Sequence, residues 1–306
     1  MTVVWVPFDP VGLGELPAGL RLQEVRDPDA STAGVEKVEV FIPPYDLGAD
    51  PGTVLRDLLP QMISLRVLQT QTAGTEQVEP YLPAGVTLCN ARGVHDASTA
   101  ELAVALTLAS LRGIPDFVRA QPAGTWLHGQ RPALADRRVM VVGAGSIAGA
   151  LRARLEPFEC EVVLVGRTAR DGVRAADQLA ALLPQADVVV LLVPLTEQTH
   201  HLVDADFLAS MRDGALLVNV ARGGVVDTEA LAAETASGRL LAALDVTDPE
   251  PLPSGHRLWT TPGVLISPHV GGATTAMAPR ISRLVREQLR RYAAGEPLAN
   301  VVVAGR

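Results

Sequence analysis

Short runs of β-branched and other apolar residues alternate along the chain with longer stretches rich in Ala and Leu. Buried parallel strands are apolar on both faces and are joined by helical crossovers, so this alternation predicts an α/β protein with parallel sheets. The first part of the chain predicts strands at residues 3–6, 38–42, 65–68 and 86–89. The later part predicts six strands, at residues 139–142, 161–165, 187–192, 215–220, 240–245 and 264–267.

Helical stretches separate the later strands. They are predicted at residues 146–155, 175–183, 205–211 and 228–236. Six strands with helical crossovers are typical of a doubly wound, Rossmann-type nucleotide-binding domain. A last helix at residues 277–292 and an apolar tail at residues 300–305 are predicted to return to the first part of the chain.

The pattern therefore predicts two α/β domains, of which the smaller is discontinuous. Residues 98–275 form the dinucleotide-binding domain, and residues 1–97 with 276–306 form a flavodoxin-like substrate domain. Ser98 followed by Glu101 is a capping-box pattern, which predicts that a long helix starts at the boundary. The Pro- and Gly-containing segment 113–136 is predicted to be irregular, as a surface excursion or a dimer arm.

Composition narrows the function classes. The 306 residues carry a net charge of −8 and two cysteines, Cys89 and Cys160. An acidic chain lacks the basic field of nucleic-acid and anionic-membrane binders, and two thiols are too few for a disulfide framework. Residues 1–10 do not resemble a signal peptide, so we expect a cytoplasmic protein without membrane or nucleic-acid partners. Lys37 is the single lysine and fits neither a Schiff base nor a phosphate-binding P-loop.

A glycine-rich turn lies between the strand at 139–142 and the helix at 146–155. Gly143, Gly145 and Ala148 fit G-x-G-x-x-A, in which the glycines allow a tight turn and the approach of a pyrophosphate. Ser146 and Ile147 open the helix, whose N-terminal N–H groups attract phosphate. The sequence therefore predicts a dinucleotide site here.

The end of the next strand indicates which dinucleotide binds. An NAD site usually has Asp or Glu there for the ribose 2′-hydroxyl, whereas this chain has Gly166 followed by Arg167, Thr168 and Arg170. Two guanidinium groups and a hydroxyl suit a 2′-phosphate, so NADP(H) is preferred and NAD(H) is possible. The alternative is that both arginines lie in a solvated loop.

Three further segments follow strands at the predicted carboxyl edge of the sheet. They are NVARGGVVD at 219–227, LDVTDPEP at 244–251 and SPHVGG at 267–272, preceded by VPLTEQTHHL at 193–202. Together these segments resemble the D-isomer-specific 2-hydroxyacid dehydrogenase family, from about residue 65 onward. The resemblance implies that Arg222 binds the substrate and that His269 is the general acid. It also implies that Glu250 orients the imidazole ring and keeps it protonated.

The resemblance also implies further contacts to the two ligands. In the smaller domain, the loop Thr72, Ala73 and Gly74 would bind the substrate carboxylate through its N–H groups, together with Arg222 and His269. Further cofactor contacts are implied for Val193, Pro194, Thr199, Ala221, Asp245, His269 and Gly271. Relatives pair through their nucleotide domains, which implies a homodimer. No metal site is expected, because the other histidines lack metal-ligand spacing, and His200-His201 is predicted to be a solvated loop.

The expected function is hydride transfer between NADP(H) and a small 2-keto or 2-hydroxy acid. The pattern Gly-Arg-x-x-Arg is most similar to NADP-dependent glyoxylate/hydroxypyruvate reductases. Two alternatives stay open: an NAD-dependent dehydrogenase of the phosphoglycerate or lactate type, and a dinucleotide-sensing co-regulator of the same fold.

Overall fold

The computed structural model describes residues 1–46 and 51–305 and divides into two compact units. The terminal unit comprises Met1–His95 and Thr275–Arg306, and the central unit comprises Asp96–Thr274. These limits lie within two residues of the predicted ones. Residues 47–50 and 306, which the predicted smaller domain includes, lie outside the described part.

The terminal unit is built on a six-stranded sheet. Its first strands are β1 (Thr2–Val6), β2 (Leu20–Glu24), β3 (Val38–Phe41), β4 (Val67–Gln69) and β5 (Thr87–Cys89), and helix α1 spans Pro51–Leu58. The strands predicted at 3–6, 38–42, 65–68 and 86–89 are confirmed, with small shifts at their ends. Strand β2 was not predicted, because its sequence LRLQE alternates apolar and polar residues at the half-exposed edge of the sheet.

The central unit is built on a parallel seven-stranded sheet. Its strands are β6 (Arg138–Val142), β7 (Glu161–Gly166), β8 (Val173–Ala175), β9 (Val188–Leu191), β10 (Leu216–Asn219), β11 (Leu241–Leu244) and β12 (Val264–Ile266). Its helices are α2 (Asp96–Arg112), α3 (Ile114–Ala120), α4 (Ser146–Leu155), α5 (Leu179–Leu182), α6 (Ala205–Ser210) and α7 (Thr228–Ala236). The spatial order β12-β11-β10-β9-β6-β7-β8 confirms the doubly wound prediction.

Three local predictions in the central unit are confirmed only in part. The helix predicted at 175–183 is helical from Ala176 to Gln185, where α5 lies between two 3-10 turns, but its first predicted residue, Ala175, ends strand β8. That strand forms because Gly172 turns the chain at φ +68° and Val173 then joins the sheet as a buried residue. The predicted long helix at the domain boundary is present as α2, but it begins at Asp96, so Ser98 lies inside its first turn as a buried residue rather than capping it. The segment 113–136 is not wholly irregular, because α3 occupies its start.

The chain then returns to the terminal unit. Helix α8 (Met277–Ala294) buries Ile281, Val285 and Leu289 at helical spacing against that unit's sheet, and β13 (Val301–Val303) pairs antiparallel with β5. The predicted last helix and apolar tail are confirmed. Within residues 1–46 and 51–305, no helix combines the length and the apolar character that crossing a membrane requires.

Candidate active site

The predicted site residues of the central unit follow strands that end side by side. The register pairs the last residues of neighbouring strands: Val142 with Leu191, Leu191 with Asn219, and Asn219 with Leu244. The loops that follow these strands therefore leave the same carboxyl edge of the sheet. Ligands of doubly wound sheets bind at this edge, at the point where the chain reverses the strand order, here between β6 and β9.

The glycine turn after β6 requires its first glycine. Gly143 has φ +115°, and a Cβ there would lie 2.5 Å from the backbone oxygen of Leu192 in the neighbouring connection. Only glycine allows the chain to turn this close to the strand beside it. The fully buried Ala148 packs helix α4 against the sheet, as the small third residue of the motif should.

The turn leaves space and donors for a phosphate group. A Cβ on Gly145 would meet no atom within 4 Å, and no side chain caps the N-terminus of α4. The first N–H groups of that helix, including those of Ser146 and Ile147, have no acceptor within the helix and carry its positive dipole end. An open face beside these donors fits the pyrophosphate of a dinucleotide.

The arginines after β7 occupy different positions. The Arg170 guanidinium donates a hydrogen bond of 2.5 Å to the carbonyl of Ala144, inside the glycine turn, and its backbone bridges to Val173. Arg167 and Thr168 are exposed immediately after the end of β7. Both arginines are exposed, but Arg170 contacts the glycine turn through this hydrogen bond, whereas Arg167 lies directly after the strand end.

The loop after β9 is closed by Thr199. Its hydroxyl donates to the carbonyl of Pro194 at 2.6 Å and accepts a hydrogen bond from the N–H of Thr196 at 2.8 Å. At the start of this loop Val193 is half-buried and Pro194 is exposed. Thr199, which the family resemblance implies as a cofactor contact, thus uses its hydroxyl to shape the loop.

Arg222 lies on a turn that its neighbours define. The Asn219 side chain donates to the carbonyl of Arg222 at 2.9 Å and accepts from the N–H of Ala221 at 3.0 Å. A Cβ on Gly223 would lie 1.8 Å from the backbone oxygen of Thr247. Asn219 and Gly223 are therefore positioning residues that the sequence motifs did not single out, although their places beside Arg222 were a usable signal.

His269 and Glu250 come together as predicted. The Nδ1 atom of His269 lies 2.5 Å from the Oε1 atom of Glu250, and both side chains are about half exposed. The backbone of His269 is in the left-handed region, at φ +51°. A residue other than glycine adopts this conformation only when its surroundings impose it.

Asp245 imposes that conformation on the loop. Its buried carboxylate accepts hydrogen bonds from the Ser267 hydroxyl at 2.6 Å and from the N–H groups of Val270 and Gly271 at 2.9 Å. Its carbonyl also accepts the N–H of His269 at 2.7 Å. Asp245 is therefore a positioning residue that surrounds the histidine with fixed backbone.

The environment of His269 favours its protonated form. The hydrogen bond to the Glu250 carboxylate raises the pKa of His269 above its usual value, and the negative charges of Glu250 and Asp245 act in the same direction. Partial burial and the positive charge of Arg222 lower that pKa but do not cancel the increase. The imidazole can therefore hold a proton at a higher pH than a free histidine does.

Glu250→Gln is expected to lower the pKa of His269, because the amide keeps a polar partner but removes the negative charge that stabilises imidazolium. The measurement is an NMR titration of the His269 ring protons in both proteins. Glu229→Gln offers the matched control, since it changes the carboxylate that lies 3.4 Å from Nε2 of His256 and should leave the titration of His269 unchanged. An unchanged titration of His269 would contradict the assignment of Glu250 as the charge partner.

In the terminal unit, the loop after β4 is held by its own hydrogen bonds. The Thr72 hydroxyl donates to the carbonyl of Gly74 at 2.7 Å, and the Asn90 side chain donates to the carbonyl of Ala73 at 2.7 Å. The carbonyl of Thr72 accepts the N–H of Ala91 at 2.8 Å. The carbonyl groups of this loop are thus engaged, which gives the loop a defined shape.

Comparison with known proteins identifies the family. The family model for the D-isomer specific 2-hydroxyacid dehydrogenase, NAD binding domain, matches residues 104–271, which are more than half of the chain. The chain belongs to the D-isomer-specific 2-hydroxyacid dehydrogenase family. It is an oxidoreductase with a nicotinamide-dinucleotide-binding domain, as the sequence resemblance implied.

Relatives of known sequence and structure agree with this placement. The human glyoxylate reductase/hydroxypyruvate reductase is 33% identical over 250 residues, which cover 77% of this chain and 76% of the human protein. A family member from Aeromonas salmonicida has a solved structure with TM-score 0.85 and 26% identity, covering 99% of this chain and 98% of the other. The NADPH-dependent glyoxylate/hydroxypyruvate reductase of Sinorhizobium meliloti, solved with citrate, superposes with TM-score 0.83 at 26% identity over the whole of both chains.

Proposed function

We propose that this dehydrogenase reduces small 2-keto acids of the glyoxylate and hydroxypyruvate type with NADPH. The observation that carries the proposal is the contact of His269 with Glu250 on the sheet edge that also bears Arg222 and the glycine turn. The names of the human and Sinorhizobium relatives support this substrate class, and the second name supports the cofactor.

In the proposed mechanism the bound nicotinamide supplies the hydride. Arg222 binds the substrate carboxylate and carbonyl oxygen through its planar guanidinium group. His269 gives a proton from its ring to the carbonyl oxygen as charge develops there, and Glu250 stabilises the imidazolium before that transfer. The loop Thr72–Gly74 of the terminal unit keeps its sequence-based assignment to the substrate carboxylate as part of this proposal.

The proposed cofactor contacts combine the glycine turn with the loops beside it. Gly143, Gly145, Ser146 and Ile147 hold the pyrophosphate, and the exposed Arg167 and Thr168 bind the 2′-phosphate after β7. Arg170 acts through the turn, by its hydrogen bond to Ala144. Further contacts are assigned to Val193, Pro194, Thr199, Ala221, Asp245, His269 and Gly271.

The test is nicotinamide absorbance with glyoxylate, hydroxypyruvate, pyruvate and a bulky aromatic keto acid, with NADPH and NADH in parallel. We expect oxidation of NADPH to be faster than that of NADH, with the smaller acids preferred. No turnover with any of the acids, despite cofactor binding, would contradict the proposal and favour the co-regulator alternative.

Arg167→Ala is expected to raise the KM for NADPH about 10- to 100-fold, the size of a lost charge-assisted contact, and to leave NADH within about twofold. Steady-state kinetics with both cofactors provide the measurement. Arg283→Ala, an exposed arginine of the terminal unit, is the matched control. Equal losses with both cofactors would contradict a 2′-phosphate contact at Arg167.

We also propose that the protein is a homodimer formed through the segment that follows α2. That segment exposes large apolar side chains: Ile114 at 46%, Val118 at 58%, Trp126 at 90% and Leu127 at 42%. A cluster of this kind is unusual on a monomer surface and marks an interaction site. These side chains lie in the segment 113–136, for which the sequence left open a surface excursion or a dimer arm.

Sedimentation equilibrium should give twice the chain mass of 32.2 kDa. Trp126→Glu should shift the equilibrium toward the monomer, because it places a charge in the apolar contact. Trp259→Glu, at a side chain that is 48% exposed elsewhere in the central unit, should not do so. A wild-type particle of one chain mass would overturn the dimer.

A further inference from the structure

Two histidines and an aspartate from separate loops meet on the surface of the central unit. His200 and His201 follow Thr199 in the loop after β9, and Asp248 lies in the segment after β11, two residues before Glu250. One ligand atom from each of His200, His201 and Asp248 can be chosen so that all three lie within 4.8 Å of one another, and all three residues are exposed. The sequence predicted only a solvated loop at His200 and His201, because Asp248 is far from them along the chain and its position beside them could not be recognised from spacing.

The two imidazole rings stack on one another. Their centroids are 4.0 Å apart and their planes make an angle of 25°. His201 has φ +50°, in the left-handed region that residues other than glycine rarely occupy. Its N–H donates to the carbonyl of Gly224 at 2.9 Å, so the backbone that carries the ring is fixed to the turn after Arg222.

The other two residues are also anchored through their backbone. The N–H of His200 donates to the carbonyl of Thr196 at 2.8 Å, and the carbonyl of Asp248 accepts the hydroxyl of Thr228 at 2.7 Å. Fixed backbone reduces the entropy that a ligand must remove on binding. The three side chains themselves remain exposed and can adjust their rotamers.

We propose that His200, His201 and Asp248 bind a divalent transition-metal ion of the Zn²⁺ class. Two imidazole nitrogens and one carboxylate are a donor set that Zn²⁺ accepts with water as a fourth ligand, whereas Mg²⁺ and Ca²⁺ require mainly oxygen ligands. Bonds of about 2.0–2.2 Å place tetrahedral ligands roughly 3.4 Å apart. The present separation is at most 4.8 Å, and closing it requires the two exposed imidazole rings to rotate out of their stacked arrangement so that their nitrogen lone pairs converge on the ion.

A bound ion would connect two functional segments. It would join the loop closed by Thr199 to the segment that leads from Asp248 to Glu250. The proposal therefore predicts that the ion stabilises both segments against unfolding, since a ligand that binds only the folded chain raises its unfolding temperature. This effect does not depend on which substrate the enzyme reduces.

The test is a Zn²⁺ titration of the chelator-treated full chain against a chromophoric zinc indicator, with thermal unfolding recorded in parallel. We expect one Zn²⁺ per chain at this site, a higher unfolding temperature with Zn²⁺, and neither effect with Mg²⁺ at the same concentration. Binding of Mg²⁺ as strong as that of Zn²⁺ would overturn the assignment.

Two variants and a control locate the ion. His200→Ala and the nearly isosteric Asp248→Asn should each weaken Zn²⁺ binding roughly tenfold or more and remove the thermal shift. His128→Ala, an exposed histidine in the segment after α3, should change neither. Unchanged Zn²⁺ affinity in both site variants, or an equal loss in His128→Ala, would overturn the proposal.

Discussion

Replacing His269 with alanine is expected to slow 2-keto acid reduction about 10²- to 10⁴-fold, the usual contribution of a positioned general acid. The side chain is the group whose proton is proposed to reach the carbonyl oxygen, and methyl has no proton to give. Cofactor binding should be weakened only slightly, because His269 is one of many proposed cofactor contacts and the glycine turn proposed to hold the pyrophosphate does not depend on this ring. Stopped-flow reduction with NADPH and hydroxypyruvate measures the rate, and NADPH fluorescence measures binding.

The pH dependence separates a chemical role from a structural one. In the wild type, reduction should fall as pH rises through the pKa of His269, which the Glu250 contact holds above its usual value. In the alanine variant the residual rate should no longer fall over this pH range. His256→Ala removes another histidine that lies beside a carboxylate in the same unit, and it should keep both the wild-type rate and the fall of that rate at high pH. A His269→Ala enzyme with near-normal rate would refute the assignment.

Gly223→Ala is expected to destabilise the central unit by about 3 kcal/mol, at the upper end of the range for overpacking, and to impair catalysis as well. The added Cβ would lie 1.8 Å from the backbone oxygen of Thr247 and 2.8 Å from the backbone nitrogen of Asp248. Backbone cannot rotate away as a side chain can, so the two segments must separate. Separation would move Arg222 on one side and Glu250 on the other.

Denaturant unfolding and steady-state kinetics measure these effects. Gly149→Ala in helix α4 is the matched control, because its Cβ would meet no atom within 4 Å and alanine favours a helix by about 0.5–1 kcal/mol. The control should be as stable as the wild type or more stable. Unchanged stability in Gly223→Ala would show that the Thr247 backbone yields at little cost.

The elements that sequence predicted well are those with a strong local pattern. Strands β6 and β9–β11 are almost entirely buried and appear as apolar runs, and helices α4 and α7 have the predicted bounds. Strand β8 was missed because its three residues, VRA, have no strand pattern. They pair with β7 only because the chain turns at Gly172. The capping-box signal at Ser98 did not mark the start of α2, because the helix already begins at Asp96 and Ser98 is buried inside its first turn.

The candidate site likewise has features that the local sequence predicts and features that depend on tertiary contacts. The sequence by itself determined the family, the two-unit α/β organisation, and the order of the glycine turn, Arg222, Glu250 and His269 along the chain. These features depend on local motifs and on the spacing of apolar residues. That spacing is the same for a given strand or helix whatever element it packs against, so it can be recognised in the sequence. The pairing of His269 with Glu250 followed from the family resemblance and is present in the structure.

Only the tertiary structure decided how neighbouring loops use these residues. In the folded chain Arg170 donates a hydrogen bond to the carbonyl of Ala144, and the Asp245 carboxylate accepts hydrogen bonds from the loop of His269. Gly223 lies against the backbone of Thr247. It also brought Asp248 to His200 and His201. Each of these contacts joins loops from different strands, and their distances depend on strand register and turn geometry, which no single segment of sequence contains.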